Sequence, residues 1–518
     1  MLKSSKKIKD IFIVILIAIM CGIIFFYQTK KVGFHEDEMY TIASSVNPDN
    51  GLMWAYDDNN NLEWKTREYV RDYVTLTPNN YLNLKSVYIN QAYDNHPPVF
   101  YTLVHFSSIL FSGEFSKYTA FVVNIIAFIL SCFVIKKIFT ILDKENLTIP
   151  SLILYGLSMG TISMVIFQRM YMLLTFFILL YFYLSLKIYK NNFEMDKKLI
   201  IQLGVTTVLG FLTQYFFAIY AFFIFIIMLV EMMRNSEYKK MKKYTILHII
   251  YGAIGILLFV PCIKHLLFSD RGLSNLGNSE YFSHLLTYLK HLAYSFSIND
   301  NLVVIFITLI AFAICTILLY KKSKDKFVVL ISVVPSIFYF LIAVKMTSFQ
   351  ELRYIMPVIP FVVLTFFLIL DEFINIKFKD YIFAVIAILL VINGMVFSKP
   401  KFLYENYQQC LDIAEENKNK SFVYVYDNFF NHMQSIPEMM IYEKTLIVNT
   451  NNNELENVIN DTTLNSEDSY ILCIKSYMNN EEIIEKLTEN TDFKNVTKLF
   501  EGDNDSGDIN NNLYLMSK

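Results

Sequence analysis

The sequence predicts an α-helical, multi-pass membrane protein that ends in a small soluble α/β domain. Of its 518 residues 54% are hydrophobic, and the mean hydropathy is +0.39, more apolar than an ordinary soluble protein. Apolar runs approaching the ~20 residues of a bilayer crossing recur as far as Phe397. Beyond Pro400 they stop, and short β-rich runs alternate with acidic helical stretches.

Composition also narrows the function. A net charge of −2, with lysine clusters in short loops and a region from Lys401 to Lys518 rich in Asp and Glu, argues against a nucleic-acid partner. Of six cysteines, four (Cys21, Cys132, Cys262, Cys315) lie inside apolar segments, so neither a disulfide framework nor zinc-type spacing is present.

In chain order, the first apolar run, Ile11 to Tyr27, follows Lys3, Lys6, Lys7 and Lys9, which places the N-terminus in the cytoplasm. It is longer than a signal-peptide core, and no small-x-small cleavage pattern follows it. A polar section from Gln28 to Asn95 comes next, with Trp54, Trp64, Arg67 and Arg71. Its length and aromatic content predict ordered structure, with short helices on the membrane surface. Further apolar segments run Tyr118–Leu142, Ile149–Phe167, Met172–Tyr189, Leu199–Val230, Tyr244–Leu267, Asn301–Tyr320, Phe327–Val344, Tyr354–Leu370 and Tyr381–Phe397. Leu199–Val230 exceeds one crossing, and Gln214 near its middle reads as a turn between two short helices.

Lysine-rich stretches at Lys136-Lys137, Lys190 with Lys197-Lys198, Arg234 to Lys243, Lys321 to Lys326, and Lys377 with Lys379 mark the cytoplasmic loops. Gln168-Arg169, 269–300 and 346–353 then face outward with His35 to Glu38. A full crossing at Val99–Phe111 would invert that pattern, so this run is expected to lie within the outer leaflet. The count is about eleven crossings, within about 11–13 transmembrane helices. The C-terminal strands are expected at Phe422–Tyr426, Thr445–Val448, Tyr470–Ile474 and Leu513–Met516. The division is a membrane domain, 1–398, that includes an external loop, 28–98, and an extracytoplasmic α/β domain, 399–518.

Candidate chemistry lies on the outward loops. His35-Glu36-Asp37-Glu38 suits a metal site or a general base for a hydroxyl, since partial burial raises a carboxylate's pKa towards working pH. The same residues also suit an ordinary helix N-cap, with acids near the positive end of the dipole. Asn95-His96-Pro97-Pro98 reads as a helix start whose N–H groups favour an anion such as phosphate, or simply as a stop-start signal. Arg169, in Gln168-Arg169-Met170-Tyr171, and Arg353, in Leu352-Arg353-Tyr354-Ile355-Met356-Pro357, put guanidinium groups at the outer membrane edge. They suit a lipid phosphate, or they snorkel to the interface. Lys117 and Arg271 are similar in type. No Gly-rich nucleotide loop or Ser/His/Asp arrangement is visible.

At these residues the chain resembles the GT-C superfamily of membrane glycosyltransferases, in the branch of protein O-mannosyltransferases and the lipid A aminoarabinose transferase. The resemblance spans roughly Ile11 to Phe397: Asp37-Glu38 matches the Asp-Glu pair after the first helix, and His96-Pro97-Pro98 the element closing the same loop. Arg169 and Arg353-Tyr354 with Pro357 match the later arginine elements. The resemblance implies a GT-C-like fold and an inverting glycosyltransferase of the outer membrane face. The donor would be a polyprenyl-phosphate sugar, and the acceptor a cell-envelope glycan, lipid or protein. Asp37 and Glu38 would be catalytic, and His96, Arg169, Arg353 and Tyr354 would bind the donor phosphate. No cofactor is fixed; where a divalent metal ion is used, Glu38 and His96 would ligate it, with His35 and His105 as further candidates. The enzyme would be a multi-pass protein of the cell membrane with membrane lipids as neighbours. The competing readings are a lipid-linked-sugar flippase or secondary transporter, for which no internal repeat is seen, and a membrane-anchored sensor.

Overall fold

A computed structural model describes residues 2–48, 63–268, 281–347, 349–427, 431–450, 454–502 and 510–518. Trp54 and Arg271 lie outside the described residues. The chain forms two compact units, one of Met1–Tyr27, Asn95–Phe100 and Phe121–Lys401, the other of Gln28–Asp94, Tyr101–Ala120 and Phe402–Lys518. The segment Gln28–Asp94 therefore folds with the C-terminal residues, which differs from a division at residue 398. The physical reason is backbone pairing across some 380 residues of sequence, which hydropathy does not register.

The first unit is helical. Among the described residues, nine helices are long and apolar enough to cross a membrane: Lys7–Lys30, Thr119–Ile141, Tyr171–Lys190, Phe216–Arg234, Tyr238–Leu258, Leu302–Lys322, Lys326–Met346, Met356–Phe373 and Lys379–Phe397. The pair Glu145–Leu157 and Met159–Ile166, bent by 58°, makes a tenth if counted as one span. Against the expected count of about eleven, the described residues hold nine such helices, or ten with the bent pair; Lys197–Phe211, one of the two short helices expected within Leu199–Val230, has 15 residues. The turn expected at Gln214 is present, and Gln214 Oε1 accepts the Phe216 N–H at 2.5 Å. Val99–Phe111 is a short apolar helical segment, below spanning length. Lysines at the helix ends are paired with acids: Lys136 with Asp10 at 2.7 Å, Lys190 with Asp325 at 2.8 Å, and Lys144 and Lys379 both with Asp371.

The bend in the broken span has an identifiable cause. Ser158 leaves the helical region (ψ 145), and its hydroxyl caps the next helix by accepting the Thr161 N–H at 3.3 Å. Gly160 then permits close packing, because a Cβ there would stand 2.5 Å from Ser295 Oγ and 2.7 Å from Ile359 Cδ1. This short helix delivers the chain to Phe167 and Arg169.

The second unit contains a six-stranded sheet: β1 (Lys65–Thr66), β2 (Ser421–Tyr426), β3 (Lys444–Asn449), β4 (Ser469–Lys475), β5 (Asn495–Phe500) and β6 (Asn511–Ser517). The order is β1-β3-β2-β4-β6-β5, parallel where β2 meets β3 and β4 and antiparallel elsewhere. The central strand β2, SFVYVY, is buried along its whole length, as a strand covered on both faces must be. Val423, Val425, Leu446, Leu472 and Ile474 form the core on one face. The segment Gln28–Asp94 supplies β1, which pairs Lys65 with Thr445 and Thr66 with Lys444. It is fastened further by Trp64 Nε1 to Asp461 Oδ2 at 3.2 Å and Arg67 to the Lys418 carbonyl at 2.9 Å.

A buried polar cluster lies under the other end of the sheet. Lys475 Nζ donates to Asn511 Oδ1 at 2.9 Å, and Asn511 Nδ2 to Glu438 Oε1 at 3.3 Å. Burial pushes the Glu438 carboxyl up to about 8, against the pull of Lys475. Burial likewise holds the Lys475 ammonium below its ordinary range.

Candidate active site

The acidic motif forms the first turn of the helix Glu36–Val46. His35 is its N-cap, with extended φ −68 and ψ 149, and His35 Nδ1 accepts the Asp37 N–H at 3.1 Å. In return Glu38 Oε2 accepts the His35 N–H at 2.8 Å, a reciprocal capping box with imidazole in place of the usual hydroxyl. Glu38 also binds Lys31 Nζ at 2.9 Å, with both side chains 0% exposed. Asp37 differs from its neighbour: its side chain is 23% exposed, with Oδ2 3.9 Å from His35 Nδ1. The helix is closed at its far end by Asn90 Nδ2, which donates to Ser44 and Asn47 carbonyls at 3.0 and 2.9 Å. Its buried side, with Met39, Ile42 and Ala43, packs beside the short 3-10 turn Asn431–Ser435.

In the helical unit, four candidates converge through Phe167. The chain turns there between the helices Met159–Ile166 and Tyr171–Lys190, and the turn is pinned from a third helix. Asn124, fully buried, donates to the Val165 carbonyl at 3.2 Å and the Phe167 carbonyl at 2.8 Å. The Arg169 N–H adds a bond to the Phe167 carbonyl at 2.7 Å. Arg169 Nη2 then donates to His96 Nε2 at 3.1 Å. The Arg353 guanidinium lies 5.9 Å from the Phe167 ring centroid and 5.0 Å from that of Tyr354. Tyr171 closes the group, stacked on Phe167 and edge-on to Tyr354. Arg169 is 3% exposed and Arg353 4%.

The segment leading to Arg353 is held by the helix Tyr281–Ser295. Tyr288 donates its hydroxyl to the Phe349 carbonyl at 2.9 Å, and His291 Nε2 donates to the Gln350 carbonyl at 2.9 Å. The Val99 N–H, first of the helix after Pro97-Pro98, goes to the Leu212 carbonyl at 3.0 Å, so that donor is not available to an anion.

The candidates thus fall into two groups. His96, Arg169, Arg353 and Tyr354 gather in the helical unit, whereas Asp37 and Glu38 belong to the second unit with Lys31. Several side chains are occupied in ways that spacing does not reveal. His105 places its two ring nitrogens 2.7 Å from the Ser45 carbonyl and 3.0 Å from the Tyr81 carbonyl. Lys117 donates to the Thr29 and Lys31 carbonyls, both at 2.8 Å, and burial lowers its pKa. With Glu38 committed to Lys31 and the cap, the donor set does not suit a metal ion; among the described residues no group of three or more His, Cys, Asp or Glu is gathered to hold one. Lys31, Asn124 and Phe167 escape sequence reasoning, although an asparagine inside an apolar helix is itself a signal.

No protein-family model matches the sequence, and neither does any curated protein. The fold, however, is matched over nearly its full length. The structure of ArnT from Cupriavidus metallidurans bound to undecaprenyl phosphate aligns with 97% of this chain and 97% of its own, at a TM-score of 0.55 and 11% identity. The apo form of the same protein aligns with 99% of this chain and 98% of its own, at 0.53 and 9%. This chain has the fold of ArnT. An oligosaccharyltransferase from Archaeoglobus fulgidus, in complex with Zn and sulfate, aligns with 95% of the chain and 70% of its own, at 0.45 and 10%. With its apolar helices and this fold, the chain is a multi-pass membrane protein.

Proposed function

We propose that this chain is an inverting glycosyltransferase of the GT-C type that moves a sugar from a polyprenyl-phosphate donor to an extracytoplasmic acceptor in the cell envelope. The observation that carries the reading is the pair of buried arginines, Arg169 and Arg353, held with His96 and Tyr354 about Phe167. Guanidinium groups suit a phosphate ester through planar, charge-assisted hydrogen bonds, and burial strengthens them. The fold supports the same reading, since the ArnT neighbour binds undecaprenyl phosphate.

In the proposed step, the acceptor hydroxyl attacks the anomeric carbon while the bond from that carbon to the phosphate oxygen breaks. The acceptor proton passes to Asp37, which unlike Glu38 keeps solvent access, and polyprenyl phosphate leaves. Negative charge grows on the departing phosphate, where Arg169 and Arg353 act. Groups fixed in advance on such charge contribute about 100- to 1,000-fold to turnover. Glu38 serves as the anchor of the helix start rather than as a second base.

The test is turnover by purified protein in detergent with a panel of polyprenyl-phosphate sugars and, in parallel, nucleotide sugars. Release of polyprenyl phosphate from a lipid-linked donor alone supports the reading. Tight lipid binding with no turnover for any donor and envelope acceptor would favour a carrier of lipid-linked sugars.

A further inference from the structure

The chain leaves its first helix and reaches the acidic helix by way of one buried ion pair. Lys31 Nζ lies 2.9 Å from Glu38 Oε2 and donates a second bond, 2.6 Å long, to the Phe402 carbonyl. The same ammonium stands 5.2 Å from the ring centroids of Phe34 and Tyr404. Next to it, the Val32 N–H donates to the Leu403 carbonyl at 2.9 Å. Both acceptors belong to a turn in which Phe402 (φ 69) and Tyr404 (φ 52) occupy the left-handed region. Such a residue is strained and persists only where its surroundings over-determine it. Here those surroundings include the Lys31 segment. On the far side Lys117 Nζ binds the Lys31 carbonyl at 2.8 Å, so the segment is gripped from two directions.

Burial of two ions is an expensive way to gain stability, because apolar replacements of a buried pair are often neutral or better. What the pair does fix is orientation. Successive side chains on a helix point about 100° apart. Drawing Glu38 wholly into the interior therefore sets the direction of Asp37, whose side chain stays 23% exposed. We propose that Lys31 is a positioning residue. Through Glu38 it sets the rotation and depth of the first helical turn and so holds Asp37 where it receives the acceptor proton, using the turn at 402–404 as its anchor. The C-terminal part of the chain then serves the reaction by keeping the base still. This inference rests on the reading of Asp37 as that base.

The experiment compares wild type, Lys31→Arg, Lys31→Met, Lys31→Met/Glu38→Gln and Asp37→Asn for kcat and for the Kd of polyprenyl phosphate, with melting temperature as the control for folding. A displacement of about 1 Å at a reacting group costs up to ~100-fold. Lys31→Met is expected to lower kcat at least ~10-fold with Kd within ~2-fold of wild type. In the double variant a glutamine side-chain oxygen still accepts the His35 N–H and no unpaired charge is left buried, so kcat is expected to recover part of the loss seen in Lys31→Met. Lys31→Arg keeps the charge with a different reach, so it folds and still slows turnover ~3-fold or more. Unchanged kcat in folded Lys31→Met or Lys31→Arg overturns the positioning role. So does a folded double variant no faster than the single one. Asp37→Asn separates the two claims: transfer at wild-type rate removes the base itself, whereas an inactive Asp37→Asn beside a fully active Lys31→Met removes the positioning role alone.

Discussion

Asn124→Ala isolates the turn that carries Arg169. Asn124 makes two hydrogen bonds, 3.2 Å to the Val165 carbonyl and 2.8 Å to the Phe167 carbonyl, from a fully buried position on the helix Thr119–Ile141. Interhelical hydrogen bonds within membranes average about 0.6 kcal/mol and reach about 1.7. Two of them are therefore worth about 1–3 kcal/mol, before any cost for the carbonyl oxygens left behind. If that whole sum falls on the geometry that binds donor phosphate, affinity drops by about 5- to 100-fold at 1.4 kcal/mol per decade. The assay is titration of the purified variant with polyprenyl phosphate in detergent, beside its thermal unfolding. Asn124→Asp is the size-matched control: it keeps the volume, loses both N–H donors and is expected to weaken binding at least as much. Wild-type affinity together with a wild-type melting point in Asn124→Ala would show that the turn holds itself and that this account of Arg169 placement is wrong.

Other outcomes follow from the same geometry. Arg353→Lys keeps the charge but loses the planar group over Phe167 and Tyr354, so donor affinity should fall about 10-fold while melting changes little; unchanged affinity would assign Arg353 to packing. Arg169→Ala should depress turnover about 100-fold, more than it lowers ground-state donor affinity; a loss confined to KM would mean that the group binds substrate and transition state equally. Glu438, held up to about 8 by burial, stays protonated in the folded protein over a range in which the unfolded chain has lost that proton. Stability should therefore decline as pH rises from about 5 to 8, by up to about 1.4 kcal/mol per unit. Glu438→Gln should flatten that decline in melting curves between pH 5 and pH 9, and an unaltered slope would place the titration elsewhere.

Some of this architecture is legible in the chain because it depends on local pattern. β2, β3 and β4 stand where short apolar runs of Val, Ile and aromatic residues occur, and the break at Gln214 follows from a run too long for one crossing. β5, NVTKLF, escapes because it is an exposed edge with little apolar signal, and β1 because two residues carry no period at all. The bend at Ser158 carries no proline to announce it. At the candidate site, His35 and Glu38 do form the N-cap that the acidic motif allows, and the cap uses Glu38 in a way that residue type alone does not distinguish from chemistry. Its true partner, Lys31, lies seven positions upstream and is placed by a turn at 402–404, a non-local fact no window of sequence contains. Arg169 and His96 are separated by 73 positions, and only the packed helices bring them to 3.1 Å.

The most direct test of the central claim is transfer by Asp37→Asn in purified form, with a lipid-linked sugar that the wild-type protein turns over, and with donor Kd measured on the same sample. The account predicts loss of transfer by at least ~100-fold with donor binding within ~2-fold of wild type. Transfer retained at the wild-type rate in a folded Asp37→Asn would contradict it.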